Sequence, residues 1–386
     1  MVPVALSWAV LDVTGSVSDL GLVLAAQTVP LVLFLIVGGA VADRLARRAV
    51  MLVSDGARCV TQGLLAALLL TGHAQLWQLL VLQFLTGTAT AFFLPAVTGL
   101  TSQVVPAEHL QEANALRSLA GSGGSIAGPA IAGVLVAAFG PGWAIACDAA
   151  SFAVSAFFLG LLRLPPHAAV AESSLLRDLI EGWDAFRSRT WLVLANVHAA
   201  IANLSLLAPF YVIGPAVAKR YLGGVGAWAL IASCFGVGLV AGGLLSLTVR
   251  PRRPMAVGLA ATIANVPALV LLALHAPAVA VAACAVPAGA ALTFLNTVWE
   301  TTLQKHVPAE LLSRVVAYDW FAALVFQPLG YVAAGLLAAH VLGLSGTLWL
   351  GAAVGAVSTA VIVSLPSIRG LEAEPAALSP NRAAQA

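Results

Sequence analysis

The chain has 386 residues, of which 61% are hydrophobic and only 9% charged. Its mean hydropathy of +0.99 excludes a water-soluble domain, since such domains carry roughly 25% charged residues. The net charge of +2 is no footprint for a nucleic-acid partner. What remains is an all-α integral membrane protein. Its long runs of Ala, Leu and Gly read as spanning helices of about 20 residues, whereas a transmembrane barrel would alternate in segments of about 10.

In chain order, the apolar runs predict spans at 2–13, 18–41, 50–71, 77–104, 113–138, 143–164, 191–213, 226–248, 255–274, 279–303, 315–341 and 346–365. The first offers about a dozen residues before Thr14-Gly15-Ser16, short of a crossing. The first helix therefore reads as truncated: either the start lies upstream of Met1, which is the favoured expectation, or the chain is a shortened relative. No cleavable signal peptide is expected, because the first apolar stretch has no basic leader and no A-x-A site. Between spans two and three, Val41 to Arg48 (VADRLARR) concentrates four charges in eight residues.

Residues 165–190 form a long middle loop that divides the chain into two six-helix halves, 1–164 and 191–365. Within it Leu176, Leu179, Ile180, Trp183 and Phe186 fall on one helical stripe, which predicts an amphipathic helix lying at the membrane interface. The tail 366–386, rich in Ala, Pro and polar residues, is expected to be disordered.

Only Lys219 and Arg220 lie on one side of this topology; every other Lys and Arg lies on the opposite side. The arginine-rich side is therefore expected to be cytoplasmic. It includes loops 42–49, 105–112, 165–190, 249–254 and 305–314 and the C-terminus. Cys59, Cys147, Cys234 and Cys284 each fall inside a span and in no metal-ligand spacing, so packing roles are expected, with no metal and no cofactor. No G-x-x-x-x-G-K-[ST] occurs, so nucleotide hydrolysis is not expected to power this protein.

The halves repeat each other. Val105-Pro-Ala-Glu108 returns as Val307-Pro-Ala-Glu310, and the same shift of 202 pairs Leu110 with Leu312, Gly128 with Gly330 and Gly133 with Gly335. Gly38-Gly39 likewise matches Gly242-Gly243, followed by Arg250, Arg252 and Arg253. An even number of spans per half makes this a parallel repeat about an axis along the membrane normal.

The order Gly39-x-x-x-Asp43-Arg44-x-x-Arg47-Arg48 resembles the signature loop of the major facilitator superfamily. TGS at 14–16, GLVLAAQ at 21–27, DAASF at 148–152 and LQKHVPAELLSR at 303–314 are similar to its drug-exporter branch, which includes enterobactin and macrolide exporters. The resemblance implies a major facilitator fold of two pseudo-symmetric six-helix bundles in a bacterial inner membrane. It implies a monomeric transporter, not an enzyme. Such a protein would export a small lipophilic or amphipathic compound (drug, macrolide or siderophore-like) by alternating access, as a proton antiporter embedded in lipid. An uncoupled facilitator, an importer of the same fold and a non-transporting remnant are the alternatives.

In the signature loop the arginines alone suit a positive-inside anchor, which would not require Asp43. The resemblance implies more: Asp43 faces the N-terminus of helix eleven and latches the halves, with Arg44, Arg47, Arg48, Asp55 and Arg58 completing the cluster. Ala46 departs from a glycine common in the family. In helix five, Gly124, Gly128, Pro129 and Gly133 combine a kink with a flat packing face. An ordinary kinked span would look the same; the spacing resembles the antiporter motif that marks exporters. The arginine that many proton-coupled members carry in helix four is missing, since Ala74 to Ala107 holds no charge.

Buried membrane charge is costly and usually functional, so Asp12, Asp148, Glu300 and Asp319 are candidates for proton coupling. Asp12 reads equally as an exposed cap, and Glu300 and Asp319 as pairing with Lys305 or Arg314. The family's substrate cavity lies between the halves, lined chiefly by helices one, four, seven and ten. Gln83, Thr90, Phe92, Asn203 and Asn296 suit such a lining, each equally able to satisfy a neighbouring helix. His198 is a further candidate proton carrier.

Overall fold

A computed structural model describes residues 1–104, 109–162 and 183–371. Side chains are described for these except at 35–37, 39–44, 98–99, 101–104, 110–115, 117–119, 309–310, 312–314, 317 and 320. The helices are α1 (Val2–Val13), α2 (Val17–Arg44), α3 (Arg47–Leu70), α4 (Leu76–Val104), α5 (Leu110–Phe139) and α6 (Pro141–Leu161), then α7 (Thr190–Tyr221), α8 (Val225–Thr248), α9 (Pro254–Ala273) and α10 (Ala278–His306). α11 runs as Ala309–Val325 and, after a turn at Phe326, Gln327–His340; α12 (Gly343–Ser364) and the short α13 (Pro366–Arg369) follow. Among the described residues, ten helices are long and apolar enough to cross a membrane. The other two members of the bundles are the short α1 and α3, whose Arg47, Arg48, Asp55 and Arg58 dilute its apolar face.

Successive helices run antiparallel, so connections alternate between two faces. On one face they are short turns; Gly140, with φ +89°, is the whole connection between α5 and α6, a conformation that glycine reaches without a Cβ clash. The other face carries the connection from α6 to α7, and is called here the linker face. Irregular turns interrupt three helices: a π-turn at Asn203–Leu207 in α7, a 3₁₀ turn at Thr262–Ala264 in α9, and the turn at Phe326 before Pro328 in α11.

Two expectations change in detail, and a third falls mostly outside the described residues. The seventh span does not stop at 213 but continues to Tyr221, because Lys219 in its last turn finds a partner across the molecule. The tail does not begin at 366: α13 is ordered by Ile368, which is buried against Ala195, Met255, Leu259 and Ile362. Of the amphipathic linker helix, only its end is described; residues 183–187 are helical and Phe186 is buried beside Tyr318. The rest of 163–182, Val105-Pro-Ala-Glu108 and the tail beyond 371 lie outside the described residues.

Glycine spacing shows why the repeat exists. A methyl on Gly38 would lie 2.5 Å from the carbonyl oxygen of Ala91, and one on Gly242 2.2 Å from that of Ala290, so α2 meets α4 as α8 meets α10. Gly128 closes on Met1 of α1, and its repeat partner Gly330 on Leu204 and Ala208 of α7. Gly133 and Gly335 instead cross between halves: the first faces Ala229 of α8, the second Ser18 of α2, whose hydroxyl donates to the Gly335 carbonyl at 3.2 Å. Gly21 against Tyr331 and Gly236 against Ser125 tighten the same two seams, α2–α11 and α5–α8. Such close backbone approach substitutes for the hydrophobic force that lipid does not supply. Asp12 of α1 and Lys219 of α7 add an ion pair between halves, and the ammonium also donates to the Leu11 carbonyl at 3.0 Å. These cross-half contacts lie toward the short-turn face.

Candidate functional site

The C-terminal half encloses a cavity of about 450 Å³. Its wall is mostly aliphatic, from Ala199, Leu206, Leu259, Leu292, Leu295 and Leu324. Into it project Asn196, His198 and Asn203 from α7, Thr262 and Asn265 from α9, Asn296, Trp299 and Glu300 from α10, and Asp319 from α11. An apolar wall with a few convergent polar groups is the usual constitution of a small-molecule site.

Asp319 organises one end. It is 8% exposed, accepts from Asn196 Nδ2 at 2.8 Å and from Trp299 Nε1 at 2.7 Å, and pairs with no cation among the described residues. Three helices thus converge on one carboxylate through neutral donors. Asn196 also donates to the Leu192 carbonyl within its own helix. At the other end Asn203 opens the π-turn of α7 and donates to the Ala323 carbonyl at 2.8 Å, tying α7 to α11 where α11 is about to break. His198 sits in a hydroxyl network: one ring nitrogen meets Ser358 at 2.8 Å, the other Thr262 at 3.3 Å, and Thr262 meets Thr359 at 2.9 Å.

The N-terminal half carries its charge differently. Asp55, fully buried, pairs with Arg58 one turn later on α3. Its second oxygen accepts from Ser155 of α6 at 2.6 Å. The Arg58 guanidinium lies over Phe93 and Phe152, 4.0 and 4.4 Å from the ring centres, a stacking that suits its flat, weakly hydrated face. Nearby on the same helices Thr61 and Thr86 bond at 2.9 Å.

The sequence candidates therefore divide. The cavity gathers Asn203, Asn296, Glu300 and Asp319. Asp319 takes Asn196 and Trp299 as partners; the side chain of Arg314, one of its expected partners, lies outside the described residues. Asp12 is taken by Lys219 at the seam. Asp148 lies half-buried in α6, its backbone carbonyl accepting from Ser151. Gln83 is fully buried on α4, Thr90 spends its hydroxyl on the Thr86 carbonyl, and Phe92 stacks on Phe34; none of these three lines the cavity. In the signature loop Arg48 bonds the end of α6, while Asp55 and Arg58 turn inward to α4 and α6. Arg47 begins α3. The Gly39, Asp43 and Arg44 side chains lie outside the described residues. Along α5, Gly128 and Gly133 make the close approaches given above, Pro129 sits within the helix, and Gly124 has open space. Sequence reasoning missed Asn196 and Trp299; for Asn196 the available signal was its seven-residue spacing from Asn203 on one face of the same span.

Two repeated six-helix bundles, joined by glycine seams and holding a largely apolar cavity with a few convergent polar groups, have the build of a transporter. The chain belongs to the Major Facilitator Superfamily, whose family model matches residues 1–323. It is 27% identical over 387 residues to the multidrug efflux pump Tap of Mycolicibacterium fortuitum, covering 96% of this chain and 92% of that protein. A 30% identical match to the uncharacterized MFS-type transporter YfiS of Bacillus subtilis is partial, spanning 41% of this chain and 36% of that one. Among solved structures, that of the nucleoside transporter NupG shares the fold with a TM-score of 0.72 at 15% identity, over 93% of each chain.

Proposed function

We propose that this transporter exports a small lipophilic or amphipathic compound from a bacterial cytoplasm in exchange for protons. The observation that carries the reading is Asp319. A carboxylate buried at the edge of an apolar cavity, held by neutral donors alone among the described residues, has the means to exchange a proton when the cavity's solvation changes. The aliphatic wall suits a lipophilic cargo, Asn203 and Asn296 supply orientation, and the efflux pump Tap is similar over nearly the whole chain. In this reading the arginine-rich linker face is cytoplasmic. The seams on the short-turn face close the exit, and alternating access rocks one half against the other. Glu300, on the same wall, is the second acid along a proton's route. Asp43 is the latch at the opposite face.

Purified protein in liposomes, given an imposed pH gradient and a fluorescent lipophilic cation, tests this. Wild type is expected to move the dye against proton flow, and Asp319→Asn to lose the dependence on the gradient. Transport indifferent to the gradient would instead make the protein a facilitator, and movement with the protons an importer. Asp43→Asn is expected to impair transport at unchanged membrane abundance; equal transport would reduce the signature loop to an anchor.

A further inference from the structure

Under the shift that matches Gly38-Gly39 with Gly242-Gly243, Arg48 corresponds to Arg252. The two do different work. Arg48 donates from Nε to the Leu159 carbonyl at 2.8 Å and from its terminal nitrogen to that of Gly160. It thereby satisfies the bare carbonyls at the C-terminus of α6, where cations are favoured. At the corresponding end of α12 that task belongs to Arg369 of α13, whose Nε donates to the Val363 carbonyl at 2.8 Å. Arg252 is released from it.

Arg252, Arg250 and Lys305 instead line a cavity of about 640 Å³ between the ends of α8 and α10, walled by Thr301, Thr302 and His306. The threonine hydroxyls already donate within α10, to Thr297 and Val298 carbonyls at 2.8 and 2.7 Å. What the groove offers a ligand is therefore positive charge, and among the described residues no carboxylate pairs with Arg250 or Arg252. Val249, which caps α8 and lines the groove, and Leu245, one turn earlier on α8, are 40% and 46% exposed. Cations set above an exposed aliphatic strip match one kind of ligand: a phosphate carrying acyl chains.

We infer that this groove binds an anionic phospholipid, with its phosphate on Arg250 and Arg252, Lys305 beside it, and an acyl chain along Leu245. Arginine's fork suits phosphate oxygens in pairs, and basic pockets between membrane helices recognise such headgroups. A soluble phosphate would make no use of the strip. The site is separate from the transport cavity and does not depend on what is transported or in which direction.

Phosphatidylglycerol titrated into the purified full-length chain in neutral detergent, against phosphatidylcholine, tests it. Wild type is expected to prefer phosphatidylglycerol, and Arg250→Gln with Arg252→Gln to weaken that binding about fivefold per charge removed, leaving phosphatidylcholine binding unchanged. Glycerol phosphate without acyl chains is expected not to displace the lipid. Undiminished binding by the variant overturns the site, and displacement by glycerol phosphate at the lipid's own concentration overturns the lipid as its ligand. A photoactivatable phosphatidylglycerol gives a wild-type measurement that needs no variant. Its crosslinks are expected in 246–254 and 297–306, and an even spread over all the helices would sink the proposal.

Discussion

Asp55 and Asp319 are both almost fully buried in membrane helices, one in each half, and they are held in opposite ways. Asp55 has a guanidinium against one oxygen and a serine hydroxyl against the other. Its charge is neutralised on the spot, and the pair is locked further by two aromatic rings. Asp319 has an amide and an indole, which fix its position without offsetting its charge. A counter-ion makes a buried carboxylate structural; neutral donors leave its proton occupancy open. In the proposed antiport reading, the two halves then divide into a rigid side and a responsive one.

The largest effect is expected at the rigid side. Arg58→Ala strands a buried carboxylate and is expected to cost about 3–5 kcal/mol, read as lost monodisperse protein and a lower Tm. Asp55→Leu with Arg58→Met is expected to recover much of that, since a buried pair replaced by apolar volume is often tolerated. Asp319→Asn keeps one oxygen for one of the two donors and sets its NH2 against the other, so a smaller stability loss of about 1–3 kcal/mol is expected, while gradient-driven transport is lost. Equal behaviour of the Asp55 and Asp319 variants would erase the distinction between them. Next, Gly236→Ala puts a methyl 2.3 Å from the Ser125 carbonyl oxygen. Overpacking of about 1–3 kcal/mol then acts against the closed seam, and spin-label distances between α5 and α8 are expected to shift toward separation. Smallest is Lys219→Gln: its ion pair with Asp12 is partly exposed on both sides, so at most about 1 kcal/mol is expected, fading as salt is raised.

The spans, the two halves and the repeat were legible because each rests on local chemistry: run length for the spans, and for the repeat the few positions where only glycine fits. Gly128 and Gly330, paired by sequence shift alone, do meet α1 and α7 in matching fashion. Asp55 and Arg58 were legible as neighbours because three residues is one helical turn. The organisation of the cavity was not. Asn196 and Asp319 are 123 residues apart and Asp12 and Lys219 are 207 apart, and no periodicity links helices that meet only in the fold. Thr90 misled for a related reason: a threonine in a membrane helix satisfies itself on the preceding turn, so polarity alone does not mark a lining residue. Asn196 and Asn203, seven residues apart, share one face of α7 and so reach the same cavity.

The turn at Gly140 has a mechanical consequence. A single residue has no slack, so α5 cannot slide or swing without dragging the adjoining end of α6. α6 in turn is pinned to α3 at two heights, by Ser155 on Asp55 and by Leu159 and Gly160 on Arg48. If the halves rock as proposed, a displacement where α5 meets α8 is expected to carry through α6 to the start of α3 on the far face of the membrane. The N-terminal half would then act as a lever, with the charged loop beside Arg48 at the end of its arm.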